Sequence, residues 1–307
     1  MVIQKIGIMP EESLNDTPQH RARRAFENLI AGEDSAIDLA RAALLIAAEE
    51  YPDLDIAHYM AQLDLLAERV FEVAGLAETD FRASGQFPPN IDPLNMLHAI
   101  NKVLFEQEGF HGNHVDYYNP SNSFLNEVLE RHEGIPITLS LIYMEVGRRA
   151  GLQIVGIGLP FHFVVRCNLP HGNIYIDPFE GGRLLNEQDC RERINRLFRG
   201  KLPFNILWLE PVSNRQLLTR MLANLKNIYI QKGDFLRALA ACDRIVLLAP
   251  DTALERKDRG IVHLHLKRYS RAIRDFSAYL ELAPHAEDAE DVRRQIKTIR
   301  QTIAMLN

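Results

Sequence analysis

The chain has 307 residues, of which 47% are hydrophobic and 25% are charged, and its formal net charge is −6. This composition is ordinary for a globular protein, and the length allows two domains. No stretch approaches 18 uncharged apolar residues, so we expect no membrane span, and the first apolar run is too short and interrupted for a signal peptide.

The cysteines are few and scattered: Cys167, Cys190 and Cys242, with no CxxC spacing. An odd and sparse set is typical of a reducing compartment and argues against a disulfide framework. We therefore expect a cytoplasmic protein.

Charge is distributed unevenly along the chain. Residues 211–307 carry 17 Lys and Arg against 11 Asp and Glu, whereas residues 1–210 carry 18 against 30. Two interpretations stay open: two domains that attract each other by opposite charge, or a basic binding surface on the C-terminal part. No Lys/Arg block with interleaved aromatic residues occurs, so we expect no nucleic-acid binding.

The first half of the chain has helical patterns. Residues 1–34 are predicted as an N-terminal arm with a short helix over 20–30. A helix is predicted to begin at Ser35, with Asp38 as an approximate capping-box partner. Asp92 followed by Pro93 predicts the N-cap and first residue of another helix. The remaining predictions are a helix over 55–73, a loop over 74–92, a polar loop over 111–123 and a short helix over 123–131.

The stretch from Gly134 to Gly182 is predicted to be a helix followed by a β-hairpin. Pro136 suits the first turn of the helix, and Gly151 suits its C-terminal end. Residues 154–166 and 173–177 are strand-like, and the letters NLPHG between them are typical of a turn.

This hairpin brings a histidine close to an aspartate. If the hairpin is symmetric about Leu169 and Pro170, Val165 faces Ile174 and His162 faces Asp177. Directly opposed residues are close enough for a hydrogen bond between imidazole and carboxylate. A β-bulge would change this register.

A histidine held by a carboxylate usually serves a nucleophile as its general base. A thiol nucleophile is best placed at a helix N-terminus, which here reads Pro136-Ile137-Thr138 and contains no cysteine. Thr138 and Ser140 are the nearby hydroxyl candidates, although such residues more often cap or solvate a helix. The sequence therefore predicts His162, Asp177, Thr138 and Ser140 as remnant or candidate catalytic residues.

The other reactive side chains point to no further site. His111, His114 and His132 lie in or near a polar loop and lack the i, i+4 spacing of a zinc helix, so no metal is expected. An odd offset from His162 places Cys167 on the opposite strand face, and Cys190 lies in a charged segment. No cofactor is predicted.

Two segments near the C-terminus repeat at an offset of 34 residues, a period typical of tetratricopeptide repeats (TPR). Lys226 and Arg259 depart from the usual Gly and Leu of such repeats. A final helix over 286–305 is predicted to cap the stack. The signature positions are Tyr229, Gly233, Ala238 and Pro250 in the first repeat, and Gly260, Tyr269, Ala272 and Pro284 in the second.

The order of a helix, a strand with His and a strand with Asp-Pro resembles the transglutaminase-like core, a papain-related fold that uses a Cys–His–Asp triad. Counting back from Gly151 places Pro136 at the cysteine position, whereas His162 and Asp177 match the other two. The letters FHGNHVDYYNPSNSFLNEVLERHEGIPITLSLIY, GLPFHFVVRC and YIDPFEGGRLL, followed by the repeats, resemble the bacterial SirB-like family. That family is named for invasion-gene regulation. A related domain occurs in an F-box protein, which implies a role in protein–protein interaction rather than in catalysis.

The predicted architecture is α+β and mainly helical, with a small antiparallel sheet in the core. Its domains are the arm 1–34, a transglutaminase-like domain over 35–205, and two TPR repeats with a capping helix over 211–307. The resemblance implies a degenerate, non-catalytic regulatory protein that binds a protein or peptide in the TPR groove; an internal brace is the other possible role of the repeats. The alternative is a hydrolase or acyltransferase on amide or peptide bonds that uses His162 and Asp177 with a non-cysteine nucleophile.

Overall fold

A computed structural model describes residues 17–76, 92–169 and 172–306. Residues 1–16 of the predicted N-terminal arm, most of the predicted loop 74–92 and the centre of the predicted NLPHG turn lie outside the described residues.

The chain forms two compact units. The core unit contains the described residues up to His114 and from Phe124 to Pro211. The repeat unit contains Val115–Ser123 and the residues from Val212 onward. The chain therefore leaves the core unit at His114, contributes a short excursion to the repeat unit, and returns at Phe124.

Seven α-helices form most of the described core unit. The second of them begins after Asp38, whose carboxylate accepts a hydrogen bond from the backbone N–H of Arg41, and so its predicted start at Ser35 is wrong. Ser35 lies in a separate 3-10 turn, Asp34–Ala36. The helices are α1 (Pro18–Ile30), α2 (Leu39–Glu50), α3 (Ile56–Ala74), α4 (Pro93–Asn101), α5 (Leu125–Arg131), α6 (Pro136–Arg149) and α7 (Glu187–Leu197).

The strands of the core unit form two sheets. A π-helical segment, Lys102–Gln107, continues α4 and leads to a short parallel pair, β1 (His111–Gly112) with β2 (Glu133–Gly134). The second sheet is antiparallel, and its strands lie side by side in chain order. These strands are β3 (Ile154–Ile157), β4 (Val164–Leu169), β5 (Gly172–Asp177) and β6 (Arg183–Leu185).

The single strand predicted over 154–166 is wrong, because the chain reverses within it. Residues 158–163 connect β3 to β4, and Ile157 pairs with Val164 across the antiparallel ladder. Phe161 has a φ of +56° in this connection. Gly158 and Pro160 are the sequence signals of the break, since both residue types interrupt strands.

The predicted register of the next hairpin is also wrong. Val165 faces Ile176 rather than Ile174, and Leu169 pairs with Gly172. Each residue of β4 is therefore paired two positions further along β5 than predicted. Because side chains alternate with a period of two, this shift leaves the same side chains on the same faces.

Helix α6 contacts both β3 and β4. Tyr143 on α6 is fully buried, and its hydroxyl donates a hydrogen bond to Asn101 Oδ1 at 3.0 Å. The amide of Asn101 donates in turn to the carbonyl oxygen of Gly182 at 2.8 Å. Burial raises the pKa of the Tyr143 phenol, which therefore remains a donor. The chain of bonds fixes the turn that follows β5.

The repeat unit contains five helices in its described residues. Ala238 and Ala272 are completely buried, as expected of small residues where helices cross closely. Gly233, with a φ of +73°, forms the turn between the first two helices. The helices are α8 (Asn214–Gln231), α9 (Phe235–Leu248), α10 (Ala253–His265), α11 (Tyr269–Leu282) and α12 (Ala289–Leu306).

The two atypical residues of the repeats are paired with acidic residues of the same unit. The ammonium group of Lys226 lies 2.7 Å from Glu255 and 2.6 Å from Asp258, although the residue is buried. Burial alone would lower the pKa of Lys226, but the hydrogen bonds to these carboxylates raise it. Arg259 binds both carboxylate oxygens of Asp275, at 2.7 and 2.8 Å.

The α+β, mainly helical class with a small antiparallel sheet is confirmed. None of the helices in the described residues has both the length and the apolar character of a membrane span.

Candidate functional site

His162 lies in the connection between β3 and β4, just before β4 begins. Its backbone N–H donates to the carbonyl oxygen of Leu159 at 3.2 Å, which closes a tight turn. The neighbouring Phe161 is 81% exposed, whereas His162 is only 5% exposed. The turn therefore directs the imidazole inward.

Asp177 is the last residue of β5 and is 1% exposed. Its Oδ2 atom lies 2.7 Å from His162 Nε2, a short hydrogen bond between buried groups. The backbone N–H of Gly182 donates to the carbonyl oxygen of Asp177, so the turn after β5 holds the residue in place. The two residues predicted to meet are in contact, although the turn and the sheet register differ from the prediction.

A third residue, Arg193 on α7, completes the arrangement. Its Nη2 atom lies 3.2 Å from His162 Nδ1, and its Nη1 atom lies 3.5 Å from Asp177 Oδ2. We name these three residues the His162 cluster. Arg193 is 37% exposed at its side chain, so its guanidinium reaches the buried pair from the surface.

The partners of His162 determine where its proton lies. A guanidinium group has only donors, so Nδ1 must accept the hydrogen bond from Arg193. A neutral imidazole has one donor and one acceptor nitrogen, so the proton is on Nε2 and is donated to Asp177. Both ring nitrogens are therefore engaged, and Nδ1 has no lone pair left to accept a proton from a nucleophile.

One carboxylate oxygen of Asp177 could accept a further hydrogen bond. Its second oxygen, Oδ1, is buried and has no hydrogen-bond partner among the described residues. A buried carboxylate oxygen without a partner is costly, and an ordered water would satisfy it.

The start of α6 offers hydroxyl groups but no open nucleophile. Thr138 Oγ1 donates to the carbonyl oxygen of Ile135 at 3.1 Å and accepts from its N–H at 3.2 Å, so this hydroxyl caps the helix. Ser140 is completely buried, and its Oγ atom has no hydrogen-bond partner within the described residues. Pro136 occupies the first helical position.

All three cysteines are buried and reduced. Burial raises the pKa of Cys167 to about 11 and the pKa of Cys242 to about 12. Burial also raises the pKa of Cys190 to about 12, with help from the negative charges of Asp189 and Asp177. The thiolate is the nucleophilic form, so none of these thiols is activated at neutral pH.

The three loop histidines differ in the groups that their rings contact. His132 stacks on Phe110 with ring centroids 4.4 Å apart, and His114 lies 4.5 Å from the ring of Phe179. His111 lies 3.8 Å from a carboxylate oxygen of Glu133. Within the described ranges, no group of three or more His, Cys, Asp or Glu side chains is arranged to hold a metal ion.

Arg193 was not predicted from the sequence. The signals for its helix are present: Asn186 and Asp189 form a capping box, and Cys190 and Ile194 are buried one turn apart. These signals predict a helix with one apolar face. They do not specify that the helix packs with Arg193 over a histidine 31 positions earlier.

Comparison with known proteins agrees with the fold. Residues 57–223 match the family described as the transglutaminase-like superfamily. Residues 225–297 match the tetratricopeptide repeat. The two matches are adjacent and cover most of the described chain.

Whole-chain relatives occur in several bacteria. A UPF0162 protein of Xylella fastidiosa (strain Temecula1) is 36% identical over 275 residues, which are 87% of this chain and 92% of that protein. A UPF0162 protein of Vibrio cholerae is 25% identical over 276 residues, which are 89% and 96% of the two chains. The human F-box only protein 21 is 34% identical over 146 residues, 45% of this chain but 22% of that protein. The predicted resemblance is confirmed: the chain belongs to the transglutaminase-like superfamily, is related to UPF0162 proteins over most of its length, and itself continues into tetratricopeptide repeats.

Proposed function

We propose that this protein is a non-catalytic regulatory or interaction protein of the cytoplasm, a pseudoenzyme with a degenerate transglutaminase-like core and a TPR module. The observation that carries the proposal is the contact of Arg193 with His162 Nδ1 at 3.2 Å. A general base needs a free lone pair within reach of the proton that it removes. In the His162 cluster that position is filled by a donor.

The other positions of a catalytic triad support the same proposal. Pro136 provides no thiol at the start of α6. Thr138 uses its hydroxyl as a cap, and Ser140 is completely buried. The His162–Asp177 bond then acts as a structural link between the β3–β4 connection and the end of β5.

A hydrolase or acyltransferase on amide bonds is the second candidate. It is favoured by the 2.7 Å bond between His162 and Asp177 and by the hydroxyl of Ser140, which lacks a hydrogen-bond partner in the described part of the chain. This function requires Arg193 to leave Nδ1 and the substrate to reach a buried hydroxyl.

The TPR module is the proposed binding surface for a protein or peptide partner. Such repeats form concave surfaces that bind extended segments. Helix α10 leaves Leu254 and Ile261 exposed, at 55% and 37%, and their spacing of seven residues places them on one face. We propose that a partner segment covers this face.

Affinity capture with the intact chain tests the proposal. Replacing Leu254 and Ile261 with Asp should abolish the capture of specific partners, because charges there oppose an apolar contact. Replacing Leu236 and Leu247 on α9 with Asp is the matched control, since both are exposed leucines of the same unit. His162→Ala should capture the same partners as the wild type. Equal capture by the α10 variant and the α9 control would contradict the proposed surface, and loss of capture with His162→Ala would favour a substrate-binding site.

A further inference from the structure

A cavity of about 460 Å³ in the core unit is not explained by the proposed function. It lies between α3, the end of α5 and the residues that follow the π-helical segment. This volume falls within the range of about 300–1,000 Å³ that is typical of ligand sites. No member of the His162 cluster lines it.

One part of the lining is apolar. Leu66 and Leu129 are buried, whereas Leu65 is 58% exposed. Phe110 and the stacked ring of His132 form an adjoining wall. An occupant that covers Leu65 removes apolar surface from water, which favours binding.

The charged part of the lining is mainly acidic. Glu68, Glu72, Glu108 and Glu130 contribute four carboxylates, and Arg69 contributes the one guanidinium of the lining. Arg69 forms an ion pair with Glu108 and donates to Gln107 Oε1 at 2.9 Å. Burial lowers the pKa of His132, so this imidazole adds no positive charge at neutral pH.

Two of the carboxylates lie on the same side of one helix. Glu68 and Glu72 are four residues apart on α3, a spacing that makes their side chains neighbours. The cavity therefore combines an apolar floor with an acidic edge.

We propose that this cavity is a docking site for an arginine-bearing segment of a partner protein. A guanidinium group forms paired hydrogen bonds with carboxylates, and its aliphatic stem packs on apolar surface such as Leu65. The volume admits more than one side chain, so a peptide segment fits better than a single small cation. This site is separate from the α10 face, and failure of either proposal leaves the other unaffected.

Isothermal titration calorimetry on the intact protein tests the site. The probe is a short capped peptide of alanine, leucine and arginine. The control peptide has the same sequence with citrulline in place of arginine. Citrulline keeps the shape of arginine but has no charge. We expect the arginine peptide to bind at least about tenfold more tightly than the citrulline peptide, with an affinity that falls as salt is added.

Variants of the protein locate the binding. The double variant Glu68→Gln, Glu72→Gln should weaken binding of the arginine peptide at least about tenfold. Glu27→Gln, Glu106→Gln is the matched control, because both residues are exposed in the core unit, do not line the cavity and change the net charge equally. Leu65→Ser tests the apolar floor independently and should also weaken binding. Circular dichroism checks that each variant is folded.

Four results would overturn the inference. The first is equal binding of the arginine and citrulline peptides, and the second is equal binding by the cavity variant and its control. The third is binding of free argininamide as tight as that of the peptide, which would identify a small-cation site rather than a docking site. Absence of any binding by the arginine peptide would count against it equally.

Discussion

A carboxylate and a guanidinium group face opposite nitrogens of His162, and together they fix the tautomer and the orientation of the imidazole. Asp177 is 1% exposed, and an isolated buried carboxylate would be unfavourable by several kcal/mol. The N–H of His162 and the nearby charge of Arg193 compensate this penalty. The same contacts that stabilise the carboxylate therefore occupy the ring nitrogen that a general base would use.

At this scale we predict that His162 carries its proton on Nε2 at neutral pH. The reason is that Arg193 can only donate to Nδ1. Nitrogen NMR of the ¹⁵N-labelled histidines distinguishes protonated from bare ring nitrogens. In Arg193→Met, the Nδ1 resonance should move to the position of an acceptor without a donor, while Nε2 stays protonated.

Arg191→Met serves as the control for this experiment, since Arg191 lies on the same helix but pairs with Glu187. Its His162 spectrum should match the wild type. A proton on Nδ1 of the wild-type ring, or no change in Arg193→Met, would contradict the proposed role of Arg193.

The contact between His162 and Asp177 could be anticipated from a hairpin pattern, but its surroundings could not. The prediction placed both residues on facing strands, whereas His162 lies in a turn created by Gly158 and Pro160. Arg193 is distant in sequence from both partners. Only the packing of α7 brings its side chain to the imidazole, and helix patterns do not specify packing direction.

At the scale of elements, the helices of the core were predictable wherever a cap was unambiguous. Asp92 and Pro93 begin α4 as predicted. The start of α2 was misplaced because both Ser35 and Asp38 are good cap residues. The backbone conformation decides which of the two residues caps the helix. It forms a 3-10 turn at Ser35 and places Asp38 at the N-cap.

The cap of α2 gives a quantitative prediction. Asp38→Ala should lower the free energy of unfolding by about 1 kcal/mol, because the N–H of Arg41 loses its acceptor. Ser35→Ala should change it by less than about 0.5 kcal/mol, as an exposed side chain away from the cap. Urea denaturation of both variants measures the difference. Equal effects of the two substitutions would mean that the cap is not at Asp38.

For the repeats, the sequence predicts the elements but not the ion pairs between them. Their period and small residues follow from the sequence, and the family match confirms them. The sequence also marks Lys226 and Arg259 as departures, but not how they are accommodated. In the fold, Glu255 and Asp258 bind the first, and Asp243 and Asp275 bind the second. The atypical cations were therefore accompanied by acidic partners whose pairing requires the helices to be in place.

For the whole molecule, we predict a loss of stability on mild acidification. Burial lowers the pKa of His263 from its ordinary value of 6.5, although Asp275 partly opposes this shift. The unfolded state then binds more protons at this histidine than the folded state does. The contribution of neutral His263 to the free energy of unfolding is therefore fully present above about pH 6.5 and is lost as the pH falls below that value. Burial lowers the pKa of His132 as well, so both units contribute.

Urea denaturation between about pH 7.5 and pH 5.5 measures this slope, which cannot exceed about 1.4 kcal/mol per pH unit for each histidine. His263→Gln should flatten the slope. His285→Gln is the control, because this residue is exposed in the same unit. A slope that is unchanged in His263→Gln would exclude this histidine as its source.

The excursion of Val115–Ser123 limits how the molecule can be cut into fragments and how its repeats can be exchanged between relatives. The chain crosses between the two units three times, after His114, Ser123 and Pro211. A gene cut at codon 211 would separate the repeats from a loop that packs against α8, so neither fragment would be a complete module. The loop is also synthesised about one hundred residues before its helix, so it must wait for α8 while residues 124–211 of the core unit are made. Exchange of the repeats between relatives should therefore succeed only when the loop is transferred with them.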